Sequence, residues 1–207
     1  MDFSRSIQNF IKSIAQIPGI GSRQATRIAF FLLHQKKEFQ KQIKESLDNL
    51  FEKTALCANC FFVFEPKNKE ILCEICRYPQ RNHSLICVVE KETDLLSIEK
   101  TRKYRGVYHI LGGLISEMDE NKKRELTIIP LLNRIRKLIK ANKPPKEIIL
   151  ALSPTSEGNL TIYYLERQIK KIAPNIKITK LGRGLPHGGE VEFADSETLT
   201  NALEGRK

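Results

Sequence analysis

Leu85-Ile86-Cys87-Val88-Val89-Glu90 is a near-continuous apolar run closed by a carboxylate. Such a run predicts a strand buried on both faces, as in a parallel sheet. Its terminal acid falls at the carboxyl end of that strand, where open α/β sheets place ligands. The segments beyond it continue the pattern. A short helix is predicted from Asp94 to about Arg102, a strand at Gly106–Leu111, and a basic amphipathic helix at Leu126–Lys140, closed by Asn142-Lys143-Pro144-Pro145. A strand at Glu147–Leu152, a helix at Gly158–Lys171, a strand at Ile176–Thr179, a glycine-rich stretch at 182–189 and a helix from about Ser196 to Glu204 follow. Strands alternating with helices predict an α/β class with crossover helices over a parallel sheet.

On the amino-terminal side the periodicity is helical. Phe3, Ile7, Phe10, Ile11, Ile14 and Ile17 mark one helix face, Ala25, Ile28, Ala29, Leu32 and Leu33 a second, and Phe39, Ile43, Leu47, Leu50 and Phe51 a third. Residues 1–56 therefore read as a helical unit, with Ser22 as the N-cap of the second helix. Between the first two helices stands Ile17-Pro18-Gly19-Ile20-Gly21, which resembles the helix–hairpin–helix motif of DNA repair and replication proteins. Gly19 and Gly21 permit a sharp turn and close backbone approach to a ligand. The free N–H groups and positive dipole end of the second helix suit a phosphate there. Arg23 and Arg27, four apart, share the face beside that terminus. Contact would be to the DNA backbone, independent of sequence. The plainer alternative is an αα-turn with two solvated arginines.

Cys57-x2-Cys60, twelve residues, then Cys73-x2-Cys76 has the spacing of two chelating pairs. Four thiolates around one tetrahedral zinc make a closed structural site that folds a loop too small for its own core. A redox dithiol or an iron–sulfur cluster is disfavoured: no thioredoxin-like strand leads into the first pair, and the spacing is zinc-ribbon-like. Cys87 reads as a small buried hydrophobe.

The chain has 207 residues, 41% hydrophobic, with 35 Lys+Arg against 24 Asp+Glu for a net charge of +11. It is long enough for a real core and one or two domains, and too apolar for disorder. The surplus favours an anionic partner, nucleic acid or an acidic membrane surface. No apolar run reaches the roughly 18 residues a span requires, and the start lacks the apolar core of a signal peptide, so a cytoplasmic location without membrane is expected. Lys122, Lys123, Arg124, Arg134, Arg136, Lys137 and Lys140 form a dense basic run, read first as a solvated outer face and second as a contact to DNA or a partner. Gly182-x-Gly184-x3-Gly188 fails the dinucleotide fingerprint, and no phosphate-binding P-loop occurs. His83, His109 and His187 pair with no visible nucleophile. Ile162, Tyr163 and Tyr164 read as sheet-covering core.

Val88-Val89-Glu90, Asp94 and Tyr108-His109-Ile110-Leu111-Gly112-Gly113 resemble the Toprim domain of topoisomerases, primases and some nucleases. That family keeps a strand-terminal glutamate and a later Asp-x-Asp pair that hold magnesium. Here Ser153 and Thr155 stand where the aspartates would, within Ala151-Leu152-Ser153-Pro154-Thr155-Ser156-Glu157-Gly158. Hydroxyls are weak ligands for a hard cation, which argues against catalysis. The remaining acids Glu90 and Glu157 could hold a loose ion but no obvious two-metal site.

In order, these features are similar to the bacterial recombination-mediator family RecR over essentially the whole chain. The most specific stretches are Ile17–Arg27, Cys57–Cys76, Ile86–Glu90 with Tyr108–Gly113, Gly182–Gly189 and the ending from Asp195 to Arg206. The implied organisation is residues 1–56 as the DNA-binding hairpin region, 57–81 as the four-cysteine zinc site, 82–181 as the Toprim domain, and 182–207 as a loop and helix for assembly. The resemblance implies a non-catalytic factor that, with RecO and in some bacteria RecF, helps load RecA onto single-stranded DNA coated by its binding protein. It implies binding to single- and double-stranded DNA, one structural zinc per chain, and self-association into dimers or tetrameric rings. By motif match, Gly19, Gly21, Arg23 and Arg27 are the DNA-contacting positions, and Glu90, Asp94 and Glu157 are candidate partner contacts. The rival expectation is a magnesium-dependent Toprim nuclease using Glu90, Asp94 and Glu157.

Overall fold

A computed structural model describes residues 3–116, 126–182, 184–185 and 187–206, and the chain separates into two units, Met1–Thr54 and Ala55–Lys207. The first holds α1 (Arg5–Ile14), α2 (Ser22–Leu33) and α3 (Lys37–Lys53). Ala25 and Ala29 are the buried positions of α2, small enough for close helix approach, and the Phe3 ring meets Phe30 edge-on at 5.4 Å. Ser22 does not cap α2. Extended Gly21 takes that place, and Ser22 opens the helix without a side-chain capping bond. Leu47, Leu50 and Phe51 on α3 are exposed, so three helices of this length leave apolar surface uncovered.

The second unit begins with an antiparallel pair, β1 (Ala55–Leu56) and β2 (Val63–Phe64), and the one-turn helix α4 (Glu74–Arg77). Next come β3 (Asn82–Val89), α5 (Glu92–Lys100), β4 (Gly106–Ile110), α6 (Ile128–Lys140), β5 (Glu147–Ala151), α7 (Ser156–Ile172), β6 (Lys177–Lys180) and α8 (Ser196–Glu204). The strands make one parallel sheet in the order β4-β3-β5-β6. Because side chains alternate across a strand, the 85–89 run serves both faces. Ile86 and Val88 pack with Leu131 and Ile135 of α6 and Leu165 and Ile169 of α7. Cys87 and Val89 pack with Leu95 of α5 and with Phe61, Phe62 and Ile75 from the cysteine insert. Each such side chain, fully removed from water, contributes about 1.5–3 kcal/mol.

Two core expectations need correction. Tyr163 does not cover the sheet: it is 59% exposed, with the Arg167 guanidinium 5.8 Å from its ring centre, whereas Ile162 is buried and Tyr164 is half-buried against the core. Arg134 is not part of a solvated face, because its guanidinium lies among the backbone carbonyls described below. Arg136, Lys137 and Lys140 are exposed, while Lys122, Lys123 and Arg124 lie outside the described residues.

Candidate metal centre and nucleic-acid interface

The sulfurs of Cys57, Cys60, Cys73 and Cys76 all lie within 4.8 Å of one another and all four residues are buried. Backbone geometry brings them together. Cys57 follows β1, its N–H donates to the Phe62 carbonyl at 2.9 Å, and its carbonyl accepts from Phe61 N–H at 3.0 Å. Phe61 turns the chain through the left-handed region at φ 66°. Cys73 sits immediately before α4 and Cys76 within it, which aims both sulfurs at the first pair. Cys73 N–H donates to Cys57 Sγ at 3.4 Å, and the Cys60 and Cys73 sulfurs are 3.5 Å apart. Sulfurs about 2.3 Å from a shared tetrahedral ion would be spaced close to this, so the set fits a single metal ion. Crowding makes the thiols share protons: hydrogen bonding to Cys60 first, then Cys73 and Cys76, holds the Cys57 thiol far below its usual range, and the bond to Cys57 pushes Cys60 up.

The insert docks on the outer edge of β4. Ile110 N–H donates to the Cys60 carbonyl at 2.9 Å, and Arg134 Nη1 donates to the carbonyls of Tyr108 at 2.7 Å and Asn59 at 3.0 Å. These bonds occupy edge groups that a sheet would otherwise leave open. Burial lowers the Arg134 pKa, and the neighbouring cysteines Cys76, Cys60 and Cys57 oppose that shift, so a thiolate set and this cation stabilise each other. His109, also buried, places Nε2 at 3.0 Å from the Thr127 carbonyl and 2.9 Å from Thr127 Oγ1. The Thr127 hydroxyl gives its own proton to the Ile110 carbonyl, so Nε2 is the donor and the proton-bearing nitrogen. His109 Nδ1 has no hydrogen-bond partner among the described residues, and burial first, then the Arg134 charge, pushes the imidazole pKa down to about 3.

Neither Arg134 nor His109 stood out in the sequence as part of the metal centre. For Arg134 a signal existed: it lies three residues after Leu131 and four before Leu138, on the flank of the apolar stripe of α6. On the opposite face, Arg81 Nη1 donates to Glu99 Oε1 at 2.8 Å, and the Tyr108 hydroxyl donates to the same oxygen at 2.6 Å. The Arg81 bond first, then Tyr108, holds the Glu99 carboxyl below its usual range.

In the first unit the hairpin turns at Gly19, φ +83°, and Ile20 N–H donates to the Ile17 carbonyl at 3.0 Å. Gly21, at φ −84° and ψ 171°, leads into α2. Arg23 and Arg27 are exposed on its first two turns, while Ala25 and Ala29 are buried.

The Toprim-type acids occupy the carboxyl edge of the sheet. Glu90 follows β3, half-buried, and its carbonyl accepts from Gly112 N–H at 2.9 Å. Asp94 Oδ2 accepts from Lys91 N–H at 3.2 Å, closing the first turn of α5. Glu157 is exposed in the first turn of α7. Thr155 Oγ1 accepts from Gly158 N–H at 3.1 Å and caps α7. Among the described residues the four cysteines are the one cluster of His, Cys, Asp or Glu that brings three ligands together, so Glu90, Asp94 and Glu157 are not gathered around a common point. A cleft of about 590 Å³ lies at this edge, between Ser153, Lys180 and α8 residues Thr198 and Asn201. In the glycine-rich tail, a Cβ on Gly184 would stand 3.5 Å from Ala202 Cα of α8, and Arg183 and Pro186 lie outside the described residues. No described helix is long and apolar enough to cross a membrane.

Three family profiles match successive parts of the chain: RecR helix-hairpin-helix over residues 7–50, Toprim domain over 84–182, and RecR C-terminal over 184–207. A Recombination protein RecR from Bifidobacterium animalis subsp. lactis is 42% identical over 205 residues, covering 99% of this chain and 97% of that protein. One from Gloeobacter violaceus is 38% identical over 205 residues, covering 99% and 98%. One from Chloroherpeton thalassium is 38% identical over 204 residues, covering 98% and 97%. With the RecR hairpin, Toprim and RecR C-terminal profiles matched in succession and such relatives aligned along its whole length, the chain belongs to the RecR family of recombination proteins.

Proposed function

We propose that this recombination and repair protein acts without catalysis, as a mediator that binds DNA backbones and helps RecO, with RecF where it exists, load RecA onto single strands covered by their binding protein. The observation that carries the reading is the hairpin: two glycines at the entrance to α2, its first N–H groups free of side-chain caps, and Arg23 and Arg27 exposed beside them. That is a site for phosphate, with nothing to read base edges. The zinc-type cysteine set supports one structural Zn²⁺ per chain. Glu90, Asp94 and Glu157 serve as contacts for a protein partner, and residues 182–207 as an assembly segment. Exposed Phe31, Leu33, Leu50 and Phe51 of the first unit support self-association into a dimer or tetrameric ring, in the cytoplasm.

Arg23→Glu with Arg27→Glu lowers affinity for single- and double-stranded DNA of every sequence, and makes the dependence on salt shallower by about 0.9 in log–log slope for each duplex phosphate that is no longer neutralised. Unchanged binding in this variant moves the DNA site elsewhere on the protein.

The rival magnesium-dependent nuclease is disfavoured by the capping roles of Asp94 and Thr155 and by the scatter of the acids. Cleavage of DNA with magnesium or manganese, abolished by Glu90→Ala, would establish the rival instead.

A further inference from the structure

The basic surplus of the second unit is distributed unevenly along the strand direction. In a parallel sheet every helix-to-strand connection arrives at the amino edge. Here those connections are residues 101–105 before β4, 141–146 before β5 and 173–176 before β6. The first carries three cations, the second two and the third none, and no acid stands in any of them. The first holds Arg102, Lys103 and Arg105, all exposed, and the second Lys143 and Lys146, likewise exposed; Lys100, Lys140, Lys170, Lys171 and Lys177 lie in the flanking helix and strand ends. At the opposite edge Glu90 follows β3, Glu92 and Asp94 lie in the first turn of α5 and Glu157 in that of α7, with Lys91 and Lys180 beside them.

Two of the flanking cations have structural work. Lys170 Nζ donates to the carbonyls of Pro174 and Ile176, both at 3.1 Å, and Lys177 pairs with Glu147 at 3.6 Å. Lys100, Lys140 and Lys171 lie in the last turns of helices, where a cation offsets the macrodipole. Neither account reaches Arg102, Lys103, Arg105, Lys143 and Lys146. All five stand beyond the last helical turn, Arg102 one residue and Lys143 two residues past their C-caps, and among the described residues none is within ion-pair distance of a carboxylate. Glu99 feels Arg105, but its oxygens are bound by Arg81 and Tyr108.

The loops that carry these five are fixed. Arg102 and Asn142 turn through the left-handed region at φ 56° and 57°. Arg102 N–H donates to the Glu99 carbonyl at 2.9 Å and Lys143 N–H to the Leu138 carbonyl at 2.9 Å. Across the edge, Asn82 N–H donates to the Arg105 carbonyl and Lys146 N–H to the Ser84 carbonyl, both at 2.8 Å, which ties both loops to β3. β5 has five residues, about 16 Å at about 3.3 Å each, so the acids of the far edge lie about two screening lengths away at physiological salt and do not cancel this field.

We infer that the amino edge of the parallel sheet, carried by Arg102, Lys103, Arg105, Lys143 and Lys146, is a second sequence-independent binding surface for the DNA phosphate backbone, on a different unit from the hairpin. It rests on the reading of this protein as DNA-binding and adds a surface to it. Two fixed loops on either side of β3 offer separate cations to a phosphate backbone, and the carboxyl edge with its acids stays free for a partner.

The test uses the full chain in two variants, Arg23→Glu/Arg27→Glu and a milder five-site variant with Arg102, Lys103, Arg105, Lys143 and Lys146 each changed to Gln. Anisotropy titrations with a mixed-sequence duplex and its single strand are run across a salt series, with metal content and circular dichroism confirming the fold. The five-site variant is expected to bind both DNAs more weakly, with the duplex salt slope reduced by about 0.9 for each phosphate left without its cation and the effect additive with that of the hairpin variant. Weaker binding in the hairpin variant alone overturns the second surface and leaves the hairpin reading standing. Weaker binding in the five-site variant alone keeps this surface and removes the hairpin. Full binding by both removes both. If the five-site variant does not fold, acetylation of wild-type Lys103, Lys143 and Lys146 decides: protection by DNA supports the surface, and protection by phosphatidylserine vesicles but not by DNA overturns it.

Discussion

Arg134, in the middle of α6, donates a hydrogen bond from Nη1 to the carbonyl of Asn59 at 3.0 Å, one residue before Cys60 of the metal cluster. The same nitrogen bonds the Tyr108 carbonyl at 2.7 Å, so one guanidinium joins the cysteine insert, the edge of β4 and the helix covering the sheet. Removing it leaves two carbonyls without their charged donor and a thiolate set without its nearest buried cation. Hydrogen bonds to a charged group are worth about 1.5–3 kcal/mol, so Arg134→Met is expected to lower stability by about 2–4 kcal/mol and to speed metal release to a chelator. Urea midpoints and a metallochromic dye measure the two effects. A decrease below about 0.5 kcal/mol, the range of ordinary surface changes, would mean that Arg134 is no tie.

His109 gives the second unit a pH dependence of predictable sign. Burial pushes its folded pKa down to about 3, against about 6.5 in an unfolded chain. The unfolded state therefore binds the extra proton between those values. The stability that His109 contributes is fully present above pH 6.5 and falls as pH drops below it, by at most about 1.4 kcal/mol per pH unit. His109→Gln keeps a donor for Thr127 but cannot titrate. Its urea midpoint is expected to approach that of wild type as pH falls from 7 to 5, while thiolate protonation at the metal cluster affects both proteins alike. A constant difference across that range would contradict the assignment.

Both residues mark where sequence reading stops. The 85–89 run was legible because burial on both faces requires apolar side chains at odd and even positions alike, and the cysteine pairs because chelation fixes their spacing. Arg134 was masked by its neighbours: among Arg136, Lys137 and Lys140 it looks like one more solvated charge, although its spacing from Leu131 and Leu138 already put it on the flank of the apolar stripe of α6. His109 stands in a strand whose other residues are apolar, and its partner Thr127 is 18 residues away. Helix ends slipped for a local reason. At Gly21–Ser22 the backbone reaches extended φ and ψ one residue earlier than side-chain preference alone suggests, so glycine caps and serine opens the helix. The scatter of Glu90, Asp94 and Glu157 was likewise invisible, because spacing along a chain does not report where loops place carboxylates.

The cysteine cluster and Cys87 are expected to behave oppositely. Cys57→Ser removes one of four ligands, so the bound metal, about one zinc per chain by elemental analysis of wild type, should be lost together with several kcal/mol of stability. Burial pushes the Cys87 thiol up to about 12, which leaves it unreactive at neutral pH. Cys87→Ala should keep the metal and cost about 1 kcal/mol, as for a small cavity beside Leu95 and Tyr108. Full stability of wild type after exhaustive chelation would remove the structural role of the metal.

Three glycines separate folding from binding. A Cβ on Gly158 would stand 1.9 Å from the Ser153 carbonyl oxygen, so the first turn of α7 must move. Gly158→Ala is therefore expected to destabilise by about 3 kcal/mol, the upper range for overpacking. Gly19 sits at φ +83° with open space around its Cβ position, so Gly19→Ala carries only the left-handed penalty of about 1–2 kcal/mol. Gly21 has an ordinary extended backbone, and its Cβ would meet the movable end of Gln24 at 3.1 Å, so Gly21→Ala should cost only the difference between glycine and alanine at an N-cap, about 1 kcal/mol. If a phosphate approaches the start of α2, however, that methyl stands in its path. DNA affinity should then fall in Gly21→Ala under conditions where circular dichroism shows it as fully folded as wild type. Normal affinity in this variant would show that the phosphate does not come close to the backbone at Gly21, and would leave Arg23 and Arg27 to act at a distance.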